Sequence, residues 1–258
     1  GKDIQRFHAL LWPAMLLSAG LPVPKNLLVH GFVLADGVAM SKSLGNGVDP
    51  LEIVTTHGSD ALRWYLLNDI PTQDDGDFTR DRFAQVYASD LANDYGNLVS
   101  RVLAMTEKYC AGAVPAHSDE TPVILESVLH NAISEYHKSV GELRIEKATA
   151  ATQSLVVYCN KRIEEAKPWE LAKAGEASAV ELHNLLNELL EIILQATLLL
   201  LPVMPATAER VLSEVFTVTD THALAKQLGT LGHIPAGQPL GKLSGVLFPR
   251  IVPAEPVA

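Results

Sequence analysis

The sequence predicts a mainly α-helical chain, in which the last unit of an α/β domain and a small connecting module precede an antiparallel helix bundle. Two observations support this fold class. Residues 1 to about 78 mix short apolar runs with Gly, Pro and Asp, which is typical of short strands, turns and helices. From about residue 81 onward, apolar residues recur every three or four positions, as in amphipathic helices joined by short loops. We therefore predict two domains, 1–78 and 79–258, the second including the C-terminal tail.

The first domain is predicted to contain three helices, a strand and a hairpin. A helix ends near Gly20, where the apolar periodicity stops at a glycine. A strand and a hairpin follow, with the turn at residues 36–37. Two further helices begin at capping residues, one at Asp49 with Pro50 in the first helical position, and one at Ser59.

The second domain is predicted to contain four long helices and a short fifth one, at 81–110, 121–140, 142–166, 177–201 and 207–215. Pro168 disfavours helical geometry at Lys167, so the third helix must stop at Ala166. The tail from residue 217 onward ends in the apolar strip "GVLFPRI", which we expect to pack back onto the first domain.

The composition limits the class of protein. With 258 residues, 48% hydrophobic and 19% charged, the chain has an ordinary globular composition. A net charge of −10 excludes a uniformly basic nucleic-acid surface but is compatible with a local basic patch. The most apolar run, 185–204, contains Asn187, Glu188, Glu191 and Gln195. We therefore expect a core helix there, and no membrane span.

The two cysteines, Cys110 and Cys159, lie far apart and outside any C-x-x-C pair. We expect inert thiols in a reducing compartment, the cytoplasm, and no zinc site in this chain. The chain opens at Gly1 without a lead-in, which indicates a piece of a longer protein.

A glycine-rich loop at 37–47 carries Lys42 between Ser41 and Ser43. Its three glycines disfavour regular structure, and a mobile lysine flanked by hydroxyls can close onto a polyphosphate. An ordinary solvated lysine is the alternative. The strand before the loop could lay its edge against an adenine, and Asp3 could accept hydrogen bonds from ribose hydroxyls. For Asp3, a helix N-cap is the alternative.

Three segments occur in the order "GKDIQRFHALLWPAML", "LLVHGFVLADGVAMSKSLGN" and "GSDALRWYLL". Together they resemble class I aminoacyl-tRNA synthetases, and their particular residues resemble the methionyl-tRNA synthetase family. The loop matches the family signature KMSKS, with Ala39 in place of its first lysine. The resemblance implies the C-terminal remnant of a Rossmann-type nucleotide-binding domain followed by an anticodon-binding bundle. It implies ATP with Mg²⁺, methionine and the methionine tRNA, with its CAU anticodon, as substrates and partners.

The resemblance also implies roles for single residues. For catalysis these are Lys42, Ser41 and Ser43; for ATP they are Gly1, Asp3, Val33, Met40 and Lys42; for methionine they are Ile4, His8 and Trp12. The last three have a spacing of four, which puts them on one helix face, and an aromatic face suits a thioether. Plain core residues are the alternative for this face.

Asn97 and Arg101 lie one helical turn apart and form a polar stripe with Asn93, and Trp169 follows Pro168 at a helix end. The resemblance implies that Asn97, Arg101 and Trp169 read the first anticodon base, by hydrogen bonds and by stacking. A solvated stripe and a core tryptophan are the alternatives. Candidates for contacts with the RNA backbone are Lys108, Arg144, Lys147, Lys161 and Arg162.

Two parts of the family pattern are missing from these residues: the HIGH signature and the zinc-bearing insert. We therefore expect this chain alone to be unable to form methionyl-adenylate, with the N-terminal half supplied elsewhere, for example as a separate chain. Two other functions stay open. One is a stand-alone, non-catalytic tRNA-binding module, and the other is a related class I synthetase for isoleucine, valine, leucine or cysteine.

Overall fold

The computed structural model describes residues 1–41, 43–118 and 123–250. It confirms a mainly helical chain with one small sheet. Strands β1 to β3 are Val33–Ala35, Val38–Ala39 and Gly76–Phe78. Helices α1 to α11 are Trp12–Ser18, Pro50–His57, Ser59–Asn68, Arg80–Val86, Asn97–Cys110, Val123–Gly141, Ile145–Ala166, Pro168–Ala174, Ala179–Leu200, Pro205–Arg210 and Thr221–Ala225.

The first helix and the hairpin follow the sequence prediction. A 3₁₀ turn at Lys2–Ile4 and a π-helical turn at Phe7–Leu11 lead into α1, and Gly20 follows it with a φ of +69°. The hairpin turns at Asp36 and Gly37, whose φ values of +51° and +75° match the two-residue turn that joins twisted antiparallel strands. The strand order is β2-β1-β3, with β3 parallel to β1.

One of the two predicted helix caps is correct. The side chain of Asp49 accepts a hydrogen bond from the backbone N–H of Leu51 at 2.9 Å, and Pro50 begins α2. The prediction for Ser59 is wrong, because Ser59 is already the first residue of α3. Gly58 is the single residue between α2 and α3, and its φ of +84° favours glycine at this abrupt change of direction.

The predicted helix 81–110 exists as one continuous rod. Helices α4 and α5 are joined by a π-helical stretch, Tyr87–Gly96, without a break in helical geometry. A Cβ at Gly96 would lie 2.9 Å from the carbonyl oxygen of Leu91, so glycine suits this tightly packed turn. We call this rod, from 80 to 110, the long helix.

The other helices of the bundle lie close to their predicted positions. Helix α7 begins three residues later than predicted, since Leu143 has a φ of +58° that interrupts helical geometry. It ends at Ala166 as predicted, and Lys167 takes a φ of +46° before Pro168. The predicted start of the second helix, at 121–122, lies outside the described residues. Helices α8 and α11 and strand β3 were not predicted.

Helix α9 forms the centre of the bundle, and every residue from 188 to 200 is buried. The polar side chains in this run find partners: the hydroxyl of Tyr158 donates to Glu188 at 2.8 Å, and Gln195 donates to the backbone oxygen of Thr230 at 2.6 Å. The core-helix prediction for this run is therefore confirmed. In the part of the chain that the structure describes, no helix has the length and apolar character needed to cross a membrane.

The tail packs back, but onto the long helix rather than onto the first domain as predicted. The rings of Phe248 and Tyr87 meet edge to face at 6.1 Å, and the Tyr87 hydroxyl donates to the backbone oxygen of Pro249 at 2.9 Å. Arg250 donates to Asn93 at 3.2 Å. The apolar strip binds here because the long helix offers it an aromatic side chain and a hydrogen-bond donor.

Candidate functional site

The segment that carries Gly1 and Asp3 lies beside the strand that precedes the hairpin. The backbone N–H of Lys2 donates to the carbonyl oxygen of His30 at 3.1 Å. A Cβ at position 1 would lie 2.6 Å from Asp3 Oδ1, so glycine leaves room for this carboxylate beside the backbone. The alternative of Asp3 as a helix cap is wrong, because Gly1 precedes the 3₁₀ turn and Asp3 lies within it.

The edge of strand β1 that could face an adenine is shorter than predicted, because β2 covers part of it. Strand β1 is the central strand of the sheet, and β2 pairs with Leu34 and Ala35 on one side. Val33 lies beyond this pairing with 38% of its surface exposed. Any backbone contact from this strand to a base must therefore come from Val33 or the residues before it.

The glycine-rich loop is closed at its base by Asn46. The side chain of Asn46 accepts from the N–H of Ser41 at 2.9 Å and donates to the oxygen of Ala39 at 3.2 Å. The hydroxyls of Ser41 and Ser43 lie 3.2 Å apart. Lys42 lies outside the described residues. Asn46 was not predicted as part of this loop, although an asparagine between two glycines is a recognisable turn signal.

Ile4, His8 and Trp12 do share one helix face. His8 Nδ1 donates to the carbonyl oxygen of Ile4 at 3.1 Å, and the His8 and Trp12 rings pack edge to face at 6.3 Å. Ile4 and Trp12 are 44% and 45% exposed, so the described residues of this chain do not bury them. The face is available to a ligand or to another part of a longer protein.

The polar stripe on the long helix lies at the surface. Asn93 and Asn97 are exposed, and Arg101, one turn further on, is half-buried. Asn93 receives the hydrogen bond of Arg250, whereas Asn97 has no side-chain partner among the described residues. The end of the stripe that carries Asn97 and Arg101 is therefore the free end.

Most of the described arginines are engaged. Seven have a hydrogen-bond acceptor or an acidic partner within reach: Arg63, Arg80, Arg82, Arg144, Arg162, Arg210 and Arg250. In the described ranges only Arg6 and Arg101 have none. A guanidinium without an internal partner keeps all its donors for a ligand.

Trp169 lies in the first turn of α8, and 41% of its surface is exposed, so the alternative of a core tryptophan is wrong. Helix α7, which leads to it, runs along the long helix: Gln153 and Asn160 both donate to Asp94, at 3.0 and 3.5 Å. Asp94 lies one turn before Asn97 in the sequence. These two bonds place the middle of α7 against the long helix, one turn before Asn97.

The five candidates for RNA-backbone contacts differ in their surroundings. Arg144, Lys161 and Arg162 pair with Glu146, Glu165 and Glu188 at 2.9, 3.6 and 3.6 Å, and Lys108 lies over the ring of Tyr109. Lys147 has no side-chain partner among the described residues. Pairing lowers the number of charges that remain free for phosphates.

In the described ranges, no group of three or more His, Cys, Asp or Glu side chains is placed to bind a metal ion. Burial raises the pKa of Cys110, which is half-buried, and raises that of Cys159, which is buried, well above its usual value. Both thiols are therefore poor nucleophiles at neutral pH.

Two protein-family models match most of the chain. Residues 1–103 match the model of tRNA synthetases class I (M), and residues 113–256 match the anticodon binding domain of methionyl tRNA ligase. The domain boundary at 78/79 stays a prediction.

The relatives are methionine–tRNA ligases. That of Thermotoga maritima is 40% identical over 219 residues, which is 83% of this chain and 34% of that protein. Methionine–tRNA ligase 1 of Bacillus cereus is 35% identical over 257 residues, which is 97% of this chain and 38% of that protein. The chain thus spans little more than a third of the length of these two curated relatives.

A solved structure of the same family is also similar to this chain. Mycobacterium tuberculosis methionyl-tRNA synthetase in complex with methionyl-adenylate superposes with a TM-score of 0.89 at 32% identity, over 97% of this chain and 49% of that one. Because the model of the methionyl anticodon-binding domain alone covers more than half of the residues, this chain belongs to the methionyl-tRNA synthetase family.

Proposed function

We propose that this chain is part of a methionyl-tRNA synthetase, which makes methionyl-adenylate from methionine and ATP with Mg²⁺ and then transfers the methionyl group to tRNA. The observation that carries the proposal is the free end of the stripe on the long helix. Among the described residues, the side chains of Asn97 and Arg101 have no partner there, and the ring of Trp169, in the helix that follows α7, is exposed. These side chains suit an unpaired base that is stacked and hydrogen-bonded at its edge.

In this proposal the first domain contributes to the ATP and methionine sites. Gly1 and Asp3 contact the ribose, and Val33 contacts the adenine through its backbone. The room that Gly1 leaves for the Asp3 carboxylate supports the first of these roles. Met40 lies beside the nucleotide, and Lys42 stabilises the pyrophosphate with help from Ser41 and Ser43. The chemistry relies on positioning and on charge stabilisation rather than on a protein nucleophile.

The methionine side chain is proposed to lie against the face of Ile4, His8 and Trp12. The packing of the two rings supports this role, since sulfur–aromatic contacts are favourable by about 0.3–1.5 kcal/mol. The solved relative from Mycobacterium tuberculosis is in complex with methionyl-adenylate, which supports methionine and ATP as substrates of the present family member.

The test is a binding titration of this chain with a CAU anticodon stem-loop, and with the same loop carrying another first base, at one stated salt concentration. We expect tighter binding of CAU and loss of that preference in Trp169→Ala, because stacking of one base contributes about 1–3 kcal/mol. The control is Trp12→Ala, which removes a tryptophan of similar exposure from the first domain. Equal binding of both loops by the unaltered chain would contradict the proposal.

A second candidate is a stand-alone RNA-binding module. The positions of Asn97, Arg101 and Trp169 favour it, since all three lie in the helical part of the chain. ATP–pyrophosphate exchange separates the two candidates. The synthetase proposal expects exchange by the full-length protein that contains this chain, and little or none by the chain alone. RNA binding without exchange by the full-length protein would favour the module.

A further inference from the structure

Asp75 connects two segments that the proposed function assigns to the nucleotide. Lys2 Nζ lies 2.7 Å from both carboxylate oxygens of Asp75, and the backbone N–H of Phe32 donates to Asp75 Oδ1 at 2.8 Å. Lys2 stands between Gly1 and Asp3 in the sequence, and Phe32 immediately precedes Val33. One side chain therefore holds the proposed ribose segment and the proposed adenine strand at the same time.

The ammonium group of Lys2 is held from a second direction. It lies 4.8 Å from the centroid of the Phe32 ring, within the range of a cation–π contact. The bonds from Lys2 and then Phe32 are the main reasons that the pKa of Asp75 lies below its usual value. An isolated surface ion pair would involve Lys2 alone, and the backbone N–H would have no part in it.

The backbone that carries Asp75 is itself closely packed against the strand. A Cβ at Gly31 would lie 2.1 Å from the carbonyl oxygen of Asp74, so this approach requires glycine. On the other side of Asp75, the N–H of Gly76 donates to the oxygen of Phe32 at 3.0 Å. The backbone is therefore held against the strand both before and after Asp75.

We propose that Asp75 is a positioning residue for the nucleotide: through Lys2 and Phe32 it sets the position of Gly1 and Asp3 relative to Val33. The inference rests on the proposed function, since it concerns the ATP site that the function requires. Asp75 does not contact the nucleotide. It acts by keeping the ribose and adenine contacts in register, so that both can be made by one bound molecule.

The variant that tests this is Asp75→Asn in the full-length protein, measured by ATP–pyrophosphate exchange. The amide keeps the side-chain volume but loses the charge that holds Lys2. We expect the KM for ATP to rise roughly tenfold to a hundredfold, since a displacement of about 1 Å at a binding group has effects of this size. We expect the KM for methionine and the melting temperature to stay close to those of the unaltered protein.

The matched control is Asp74→Asn, which removes the neighbouring exposed carboxylate, a group without a side-chain partner in the described ranges. Lys2→Met provides a second test. If Lys2 acts through Asp75, the double variant will have the same KM for ATP as Asp75→Asn alone. Full additivity would overturn the proposal.

Two outcomes separate this inference from the proposed function. If the unaltered protein exchanges pyrophosphate and Asp75→Asn behaves like Asp74→Asn, or raises the KM for ATP and for methionine equally, the role of Asp75 is overturned and the proposed function stands. If the unaltered full-length protein does not exchange pyrophosphate at all, the proposed function is overturned and the role of Asp75 with it.

Discussion

The backbone N–H of Thr207 donates to the carboxylate of Asp60 at 2.6 Å, although 147 residues separate them in the sequence. Asp60 lies in the first turn of α3 and is only 5% exposed. One turn later, Arg63 donates to the carbonyl oxygens of Pro202 and Val203 at 2.8 and 2.7 Å. Helix α3 of the first domain thus holds both ends of the turn between α9 and α10 in the bundle.

We predict that Asp60→Ala lowers the free energy of unfolding by about 1–3 kcal/mol, because it leaves the buried N–H of Thr207 without an acceptor. Asp60→Asn should lose less, since the amide oxygen can still accept this bond. Denaturant unfolding of the chain measures both. The control is Asp81→Asn, an exposed carboxylate in the first turn of α4. A loss for Asp60→Ala no larger than that of the control would contradict the prediction.

For Arg101 we predict that substitution by lysine weakens the preference for the first anticodon base by roughly tenfold, because lysine lacks the planar fork that pairs with a base edge. The salt dependence of binding should remain, since the charge is kept. Stem-loop titrations at several salt concentrations test this. Arg6→Lys is the control, because Arg6 is the other described arginine without a partner. An unchanged base preference in Arg101→Lys would speak against base recognition by this residue.

Glu146 makes the stability of the chain dependent on acid pH. Burial alone would raise the pKa of its carboxyl group, but the hydrogen bonds from Thr72, its own backbone N–H and Arg144 outweigh burial and hold that pKa below its usual value. A group with a lowered folded-state pKa stabilises the fold above the unfolded value of about 4.3, and this contribution is lost as the pH falls through the folded value.

We therefore predict that Glu146→Gln lowers the free energy of unfolding by about 1 kcal/mol at pH 7, with a smaller difference from the unaltered chain below the carboxyl range. Denaturant unfolding between neutral and acid pH measures the difference. Glu142→Gln is the control, since Glu142 is exposed and its side chain has no partner in the described ranges. A stability difference between Glu146→Gln and the unaltered chain that grows as the pH falls would contradict the prediction.

The two thiols should differ in their reaction with a disulfide reagent. Cys159 is buried, with 0% of its surface exposed, and its pKa is raised by burial and then by Glu188, so we expect it to react only when the chain unfolds. Cys110 should react slowly in the native state, because it is half-buried and its pKa is raised. Cys110→Ser should abolish native labelling. Fast labelling of that variant would show that the core around Cys159 opens.

Local signals predicted the helices and the hairpin well. Gly20, the turn at 36–37, Asp49 and Pro168 each act on their own stretch of backbone, and the structure has each feature where the sequence predicts it. The prediction for Ser59 failed because the capping rule considers one helix at a time. The single residue between α2 and α3 must serve both helices, and Gly58 occupies that position.

The sequence by itself determined the helical character of the chain, its turns, and the spacing that puts Ile4, His8 and Trp12 on one face, because these depend on neighbours a few residues apart. The tertiary structure decided what contacts what. The parallel pairing of β3 with β1, the bonds of Asp75 to Lys2 and Phe32, and the docking of the tail on Tyr87 join residues 43 to 162 positions apart. Such contacts form only when whole elements pack together, so no local pattern in the sequence encodes them.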